Sequence, residues 1–276
     1  MILPEPIDLP KVRAALVGTR FARGVQHFAS VGSTNALLLE AAANGAIEGT
    51  VYIADEQTAG RGRGGHTWHS SPGDGLYLSA LVKPTLKLHR ALLLSLATGV
   101  AAWQAVHEVT GLNVDLRWPN DLLLTGGGGR VRKCGGILVE SAVEPGSDPD
   151  LRYAVIGVGI NVSHQRFPVE LADLATSLAM EKDAPVSRMA LLVSLLRALD
   201  MELTRLESSE ENAPSLLRRF AERSSWVQGK RVNVPEQGGY TGVTAGLDAR
   251  GYLRVACDDG VLRTVLTGGV REAEKG

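Results

Sequence analysis

The chain of 276 residues is long enough for one large domain and a smaller one, and its 29 Lys and Arg residues against 30 Asp and Glu residues give a net charge of −1. This balance, without a basic stripe, disfavours an extended nucleic-acid surface. The two cysteines, Cys134 and Cys257, lie far apart in unlike contexts, so we expect no disulfide framework and a cytoplasmic location.

The chain shows no pattern of a secretory or membrane-spanning segment. Residues 1–6 lack a charged segment followed by a long apolar core, so we expect no secretory signal. The most apolar run, residues 91–106, contains Ser95, Thr98 and Gln104 and is too short to span a bilayer. It predicts a buried helix and no membrane partner.

The first elements alternate between helix and strand. A short helix is predicted over residues 9–17 and a strand over residues 25–31. Ser33, Thr34 and Asn35 then offer an N-cap to a helix rich in Ala and Leu. Helix capping alone would explain these three residues, and a binding site for a polar, uncharged ligand head is the alternative.

A loop rich in glycine and arginine follows the next predicted strand, which Gln57 ends. Residues 60–65 comprise four glycines and two arginines, a composition that disfavours both helix and strand. Backbone amides and guanidinium groups in such a loop can close around an anion, and Trp68 offers a flat face for a base. The loop predicts a lid over a phosphate-bearing intermediate, with a surface loop without function as the alternative.

Gly60, Gly62 and Gly65 also match the G-x-G-x-x-G pattern of dinucleotide-binding folds. That pattern requires a helix that opens at the loop and an acidic residue about 20 positions further on. The segment after the loop is rich in turn-forming residues, and no Asp or Glu occurs between Asp74 and Glu108. A Rossmann fold is therefore disfavoured.

Strands and helices continue through the middle of the chain. Strands are predicted over residues 76–83, 114–118, 121–124, 135–143 and 153–161, and amphipathic helices over residues 187–206 and 214–223. Only short loops separate the last four strands, which favours an antiparallel meander because parallel neighbours need crossover helices. The glycine run 126–129 lacks the Gly-Lys-Ser/Thr ending of a phosphate loop and predicts a hairpin tip. The pattern predicts an α+β fold with helices packed on a largely antiparallel sheet.

The pattern changes near residue 224. Four short segments rich in β-branched residues follow, over residues 230–234, 242–247, 252–257 and 261–266, with turns between them. They predict a small β-barrel and hence two domains, residues 1–224 and residues 225–276.

Three further segments place polar groups or bare backbone beside the predicted meander. The run Arg117-Trp118-Pro119-Asn120-Asp121 predicts an extended residue before proline and then a turn, which is a weak signal by itself. Lys133 precedes two glycines that allow a ligand or another backbone to approach, and a solvated surface lysine is the alternative. Residues 156–162 carry glycines at alternate positions, which suits either tight packing or a flat ligand.

Together these segments resemble the biotin protein ligase family. The matching motifs are Ser33-Thr34-Asn35, Gln57 with Gly60-Arg61-Gly62-Arg63 and Trp68, the run Arg117 to Asp121, the run Lys133 to Glu140, and Gly157 to Asn161. They occur in the family's order, and the glycine pattern from Gly242 to Val270 resembles the family's small C-terminal domain. Each motif is weak alone, but five in order make a specific match.

The resemblance implies both a fold and an activity. The fold would be a mainly antiparallel sheet with packed helices, of the class II synthetase and biotin–lipoate ligase type, plus an SH3-like C-terminal β-barrel. The activity would be formation of biotinyl-5′-adenylate from biotin and ATP with Mg²⁺, with release of pyrophosphate. Biotin would then pass to a lysine of the biotin carboxyl carrier domain of an acyl-CoA carboxylase.

The resemblance also implies roles for individual residues. Biotin would be bound by Ser33, Thr34, Asn35, Gln57, Arg61, Gly62, Arg63 and Lys133, and the adenylate by Trp68, Asn120 and Asn161. Lys133 and Arg63 would offset the repulsion between carboxylate and phosphate, and Asp121 would orient or deprotonate the acceptor amine. No metal ligands are identified. Gly64 and His66 replace arginines of one familiar version of the loop, so no further cationic contact is expected from this segment.

Three alternatives share part of this pattern. A lipoate ligase-type enzyme has the same catalytic architecture, but the Gly-Arg loop and the barrel favour biotin. A DNA-binding repressor would need a helix-turn-helix domain, and only about 25 residues precede the first core strand. We therefore expect the monofunctional type, without DNA as a partner. A non-catalytic binding module is disfavoured by the presence of Lys133, Arg63 and Asp121 together. The sequence leaves both a monomer and a homodimer open.

Overall fold

The computed structural model describes residues 6–209, 211–236 and 238–273. Residues 1–5, on which most of the expectation about a secretory signal depends, and residues 274–276 lie outside the described residues. The described helices are α1 (Leu9–Ala15), α2 (Thr34–Ala43), α3 (Leu92–Thr110), α4 (Leu178–Lys182), α5 (Arg188–Ser208) and α6 (Asn212–Ala221). The described strands are β1 (Gly24–Val31), β2 (Thr50–Gln57), β3 (Gly75–Val82), β4 (Asp115–Arg117), β5 (Asp121–Thr125), β6 (Val131–Val143), β7 (Leu151–Asn161), β8 (Gln228–Val234), β9 (Tyr240–Leu247), β10 (Leu253–Cys257), β11 (Leu262–Val265) and β12 (Arg271–Glu272).

The first seven strands form one sheet in the order β1-β2-β3-β7-β6-β5-β4. β1 and β2 run parallel with α2 as their crossover, and the other neighbours are antiparallel. The predicted meander of β4 to β7 and the mainly antiparallel α+β fold are therefore confirmed. β6 begins at Val131, earlier than predicted, because the charged residues Arg132 and Lys133 hide a strand that pairs with β5 across the glycine hairpin.

The two faces of this sheet are covered unequally. On β3, Leu78 and Ala80 belong to the main core with α3 and α5, whereas Leu81 belongs to a second small core with Leu38 of α2. Because side chains alternate across a strand, α2 and the α3–α5 layer lie on opposite faces. α2 packs against β2, β3 and β7. The remainder of that face carries the pocket described below.

Helix α3 confirms the predicted buried helix. Together with the turn before it, residues 88–110 are long and apolar enough to cross a membrane by length and composition, but 67% of the apolar window is buried inside the fold. It is the one such helix found in the described part of the chain. A core helix passes this test as readily as a membrane span does, and α3 packs on both the sheet and α5.

The last five strands form a second, antiparallel sheet in the order β11-β10-β9-β8-β12. The predicted small all-β unit of SH3-like type is thus confirmed, and β12 was missed because two residues carry no pattern. This sheet packs on the main body, where the Trp118 indole N–H donates to the Gly251 carbonyl at 2.9 Å. The domain boundary at residues 224 and 225 stays a prediction. Both cysteines are buried and free of disulfides, as expected.

Candidate active site

A small pocket of about 50 Å³ lies on the sheet face that carries α2. Its lining includes all eight residues predicted to bind biotin, together with two of the three predicted adenylate residues: Ser33, Thr34, Asn35, Gln57, Arg61, Gly62, Arg63, Lys133, Trp68 and Asn120. Asp121 and Asn161 lie outside this lining. The fold therefore brings together motifs that are more than 100 residues apart in the chain.

Glycines expose the backbone of β6 and β7 at the pocket floor. A Cβ on Gly157 would lie 2.3 Å from Asn35 Oδ1, and a Cβ on Gly159 would lie 2.7 Å from Trp68 Cε2. A Cβ on Gly136 would lie 3.2 Å from the Trp68 ring. Asn35 and Trp68 therefore pack against the bared face, and both are residues of the predicted binding site.

The inner end of the pocket is a network of hydrogen bonds among uncharged side chains, with one carboxylate, Glu140, at its rim. Ser33 caps α2, and the backbone N–H and hydroxyl of Thr34 lie 2.9 and 3.0 Å from Gln57 Oε1. The Ser79 hydroxyl donates to Asn35 Oδ1 at 2.5 Å. Ser33, Thr34 and Asn35 are at most 7% exposed. Capping and ligand recognition are thus both compatible with this triplet.

The network leaves specific groups unused. Asn35 Nδ2 donates to the Leu138 carbonyl at 3.3 Å and to Glu140 Oε2 at 2.9 Å, so both of its hydrogens are engaged. Asn35 can therefore offer a ligand only an acceptor, at Oδ1. The Ser33 hydroxyl accepts from Ala36 N–H and retains its own hydrogen, and the Gln57 amide nitrogen retains its donors. The pocket end suits a neutral head that both donates and accepts.

The sequence interpretation missed Ser79 and assigned no role to Glu140. A signal for Ser79 was present, because it is the one serine in an otherwise apolar and aromatic strand that is buried throughout. A buried polar side chain needs a partner, and its partner here is the pocket network.

The Gly-Arg loop folds into a narrow hairpin over the pocket. Gly62 N–H donates to the His66 carbonyl at 2.6 Å, and Trp68 N–H donates to the Gly60 carbonyl at 2.9 Å. Gly64 and Gly65 form the tip with φ of +68° and +80°, a region that favours glycine. The hairpin places Trp68 on the bared faces of β6 and β7.

Trp68 separates the pocket from a second, larger groove. Its ring centroid lies 5.4 Å from Lys133 Nζ, and its indole N–H is buried without a partner among the described residues. The groove beyond it, about 570 Å³, is also lined by Asn161, Phe167 and Leu174. Asn161 is buried, and its amide donates to the Thr176 carbonyl at 3.0 Å, so it also holds the wall of this groove in place.

That wall, residues 162–177 with α4 after it, was missed by the sequence interpretation. It has no periodic pattern, yet it joins the edge of the site through backbone bonds. Lys133 N–H donates to the Leu174 carbonyl at 2.8 Å, and Thr176 N–H donates to the Lys133 carbonyl at 2.9 Å. Two elements therefore hold the backbone of Lys133. β5 pairs with it at Leu123, and the wall bonds to its N–H and carbonyl groups.

Lys133 belongs to a compact charged group with Asp121 and Arg117. Lys133 Nζ lies 2.5 Å from Asp121 Oδ1, and Arg117 lies 2.6 Å from Asp121 Oδ2. Burial raises the pKa of Asp121, but Lys133 and Arg117 outweigh it and hold the pKa below its ordinary value. Asp121 is therefore a carboxylate that orients Lys133, and the two cations make it a weak proton acceptor.

Arg63 links the loop to the C-terminal sheet. Its guanidinium donates to the Gly268 carbonyl, and it lines both the pocket and a cavity of about 270 Å³ that includes Asp121, Lys133 and Glu236. Burial lowers the pKa of Arg63, against the opposing charges of Glu236 and Asp121. Arg63 thus lies at the meeting point of the two sheets.

Asn120 holds the turn that carries Asp121. Its side-chain amide donates to the Ile137 carbonyl at 3.1 Å, and its own carbonyl accepts from Ile137 N–H at 2.9 Å. Among the described residues no group of three or more His, Cys, Asp or Glu side chains could hold a metal ion.

Comparison with known proteins defines the class. Residues 28–161 match the Biotin/lipoate A/B protein ligase family, and residues 228–270 match the Biotin protein ligase C terminal domain. The chain is 35% identical to the biotin--[acetyl-CoA-carboxylase] ligase of Mycobacterium tuberculosis over 272 residues, which cover 96% of this chain and 94% of that protein. The chain belongs to the biotin protein ligase family.

Other relatives agree with this assignment. The bifunctional ligase/repressor BirA of Bacillus subtilis is 33% identical over 234 residues, which cover 83% of this chain and 68% of that protein. The Aquifex aeolicus biotin protein ligase solved in complex with biotin and ATP superposes with a TM-score of 0.73 at 27% identity, over 91% of this chain and 100% of that one. The Leishmania major ligase solved with biotinyl-5-AMP superposes with a TM-score of 0.53 at 25% identity, over 89% and 99%.

Proposed function

We propose that this chain is an ATP-dependent biotin protein ligase, which converts biotin to biotinyl-5′-adenylate and then transfers biotin to a lysine of a carrier protein. The observation that carries the proposal is the pocket itself. Its inner end is neutral and hydrogen-bonding, and its outer end is the cationic group of Lys133 and Arg63. Biotin has the same polarity, with a ureido head and a carboxylate tail.

The unused groups of the pocket support a ureido head. The Ser33 hydroxyl and the Gln57 amide nitrogen can donate to the ureido carbonyl, and Asn35 Oδ1 can accept from a ureido N–H. A dithiolane ring, the head of lipoate, offers none of these groups a hydrogen-bond partner, and a buried donor such as the Ser33 hydroxyl that is left unpaired costs about 1–3 kcal/mol. The proposal therefore favours biotin over lipoate.

The first step joins two anions. A carboxylate oxygen of biotin attacks the α-phosphorus of ATP, the bond to the β-phosphate oxygen breaks, and pyrophosphate leaves with that electron pair. Lys133 and Arg63 would offset the repulsion between the carboxylate and the phosphate. Asp121 would keep Lys133 Nζ aimed at the reacting oxygen, because the two groups are 2.5 Å apart.

The adenylate would occupy the larger groove next to the pocket. Trp68 would move to stack on adenine, and Asn120 and Asn161 would hold the turn and wall beside it. Closure of the Gly-Arg hairpin would exclude water from the mixed anhydride until the second substrate arrives.

Mg²⁺ would accompany ATP, because the phosphate oxygens supply the hard ligands that Mg²⁺ prefers and its remaining positions hold water. The described residues fit this arrangement better than a fixed protein site, since Asp121 is already paired with two cations. When bound, the ion would neutralise phosphate charge.

In the second step the acceptor amine attacks the carbonyl carbon of the anhydride, the bond from that carbon to the phosphate oxygen breaks, AMP leaves with the electron pair, and the proton of the amine passes to water. We propose the biotin carboxyl carrier domain of an acyl-CoA carboxylase as the acceptor and the cytoplasm as the location. The name of the Mycobacterium tuberculosis relative supports an acetyl-CoA carboxylase. Asp121 would orient Lys133 in this step. It would not deprotonate the amine, because its carboxylate is paired with two cations and is a weak base.

The test is release of pyrophosphate from ATP by the purified protein, supplied with biotin or, separately, with lipoate. We expect pyrophosphate release with biotin but not with lipoate. One biotinyl-5′-adenylate should form for each pyrophosphate released. Release with lipoate alone would assign the lipoate activity instead. No release with either compound would favour a non-catalytic binding protein.

A further inference from the structure

Glu140 lies at the rim of the pocket, on β6, paired with Val155 of β7. Residues 136, 138 and 140 share the sheet face that carries the pocket, because side chains alternate along a strand. The Glu140 side chain is 30% exposed, so it contacts both the protein and the solvent. Its position places one carboxylate between the pocket floor and the Gly-Arg loop.

One oxygen of Glu140 makes both contacts. Glu140 Oε2 accepts from Asn35 Nδ2 at 2.9 Å and lies 3.4 Å from Arg61 Nη2. Asn35 is 4% exposed and belongs to the pocket floor, whereas the Arg61 side chain is 47% exposed and belongs to the loop. The same atom therefore joins a buried amide to the beginning of the loop.

The contact with Asn35 determines which way that amide faces. The Ser79 hydroxyl lies at Oδ1, and the Leu138 carbonyl and Glu140 lie at Nδ2. A carboxylate can only accept, so it selects the orientation in which Nδ2 faces Glu140 and Oδ1 stays available to the pocket. Without Glu140, a single longer bond to Leu138 would remain on that side.

We propose that Glu140 is a positioning residue for biotin recognition, which fixes the Asn35 amide so that Oδ1 accepts a ureido N–H and ties Arg61 to the occupied pocket through the same oxygen. This inference rests on the proposed function, since it takes biotin as the ligand. Its consequence is specific: Glu140 acts on biotin through Asn35, and on the loop through Arg61.

The experiment is a double-mutant cycle with Asn35→Ala, Glu140→Leu and the combined variant, measured as KM for biotin and KM for ATP in the pyrophosphate assay. Glu140→Leu should raise the biotin KM about tenfold or more, as loss of a charge-assisted bond does, with an ATP KM within about threefold. In the Asn35→Ala background, Glu140→Leu should change the biotin KM by less than about threefold, because the residue through which it acts is gone.

Two further variants separate the two contacts. Glu140→Gln keeps an acceptor for Asn35 but loses the charge opposite Arg61 and can also present a donor, so its biotin KM should lie between those of the wild type and Glu140→Leu. It should release adenylate as fast as Arg61→Gln does. Glu144→Leu, at an exposed position just beyond β6, is the matched control and should leave all parameters unchanged.

The outcomes are distinct. An unchanged biotin KM in Glu140→Leu would overturn the inference. So would a Glu140→Leu effect on the biotin KM that is the same in the wild-type and Asn35→Ala backgrounds. In both cases, activity of the wild type with biotin would still uphold the proposed function. If Glu140→Leu lowers the melting temperature and raises both KM values together, the residue is structural and the inference fails. A wild-type protein that releases no pyrophosphate with biotin would overturn both.

Discussion

Lys133 is held more rigidly than a surface lysine. Its backbone pairs with β5 and with the wall at residues 174–176, and its ammonium group is paired with Asp121. The sequence interpretation could single out Lys133 from the glycines beside it, but the pair with Asp121 arises only when the β4–β5 turn folds against β6. The alternative of a freely solvated lysine is therefore wrong for this structure.

Replacement of Lys133 by alanine should abolish most adenylate formation. Loss of one preorganised cation at such a centre typically lowers the rate by about 10²–10³. Biotin-dependent pyrophosphate release measures the effect. Arg130→Ala is the matched control, because that cation lies in the same hairpin but its side chain is 69% exposed. Near-normal release by Lys133→Ala, with an unchanged melting temperature, would end the assignment.

Asp121 makes a pH-dependent contribution to stability. Burial raises its pKa but Lys133 and Arg117 lower it further, so the folded pKa lies below the ordinary value of 3.8. Because the folded pKa is the lower of the two, the stabilisation is fully present above the ordinary pKa of the unfolded chain. It is lost as the pH falls through the folded pKa. Asp121→Asn should therefore be less stable than the wild type by about 1–3 kcal/mol at pH 7.

Urea unfolding of the wild type and Asp121→Asn between pH 7 and pH 3 measures this difference. The gap in free energy of unfolding should stay constant down to about pH 4 and narrow below it. A gap that widens towards low pH would show that the folded pKa of Asp121 lies above its ordinary value and would contradict the lowered pKa.

The Gly-Arg loop is the element whose conformation must change most for function. The pocket beneath it is small, about 50 Å³. The Trp68 ring fills the bared face beside it, so a ligand that extends from the pocket along β6 and β7 must displace the ring. The buried indole N–H finds no partner within the described ranges of the chain, which makes this position of the ring a costly one.

Biotin alone should therefore displace Trp68. The wild-type protein, which has four tryptophans, should change its emission spectrum when biotin is added, and Trp68→Phe should lose that change while calorimetry still detects binding. Trp103→Phe is the control, because Trp103 stacks on His107 of α3 away from the pocket. The same emission change in Trp68→Phe would contradict displacement of the ring.

Elements with a strong periodic pattern were predictable, and short or irregular ones were not. α3 and β3 are nearly continuous apolar runs, so their place in the core could be inferred. The wall at residues 162–177 is held by backbone bonds to Lys133 and Asn161, which depend on tertiary contacts and leave no local pattern. Ser79 left a signal, but its partners could not be named without the fold.

At the scale of the whole molecule, the two sheets share one continuous core. Val232, Val255 and Val265 of the C-terminal sheet belong to the same buried cluster as Leu96 and Leu116 of the main body. Gly251 lies at this contact, with φ of +88°, and a Cβ there would lie 2.7 Å from Leu96 Cδ1. We therefore expect the two parts to unfold in a single transition.

Gly251→Ala tests this coupling. It adds strain at a positive φ and a clash with Leu96, whereas Gly260→Ala, with φ of +81° and no atom within 4 Å of its Cβ, adds the strain alone. Gly251→Ala should be less stable than Gly260→Ala by about 1–3 kcal/mol, and it should lower the stability of the main body as well. Two separate transitions in tryptophan emission and far-UV circular dichroism would refute a shared core.

The bared faces of Gly136, Gly157 and Gly159 also constrain how this pocket can evolve. Glycine has the smallest side chain, so every amino-acid substitution at these three positions adds atoms and removes volume from the pocket. A ligand larger than biotin could be admitted only by shortening the side chains that lie opposite, such as Trp68 or Asn35. Substitutions at the pocket floor can therefore only reduce the size of the ligand that the pocket accepts, or prevent binding altogether.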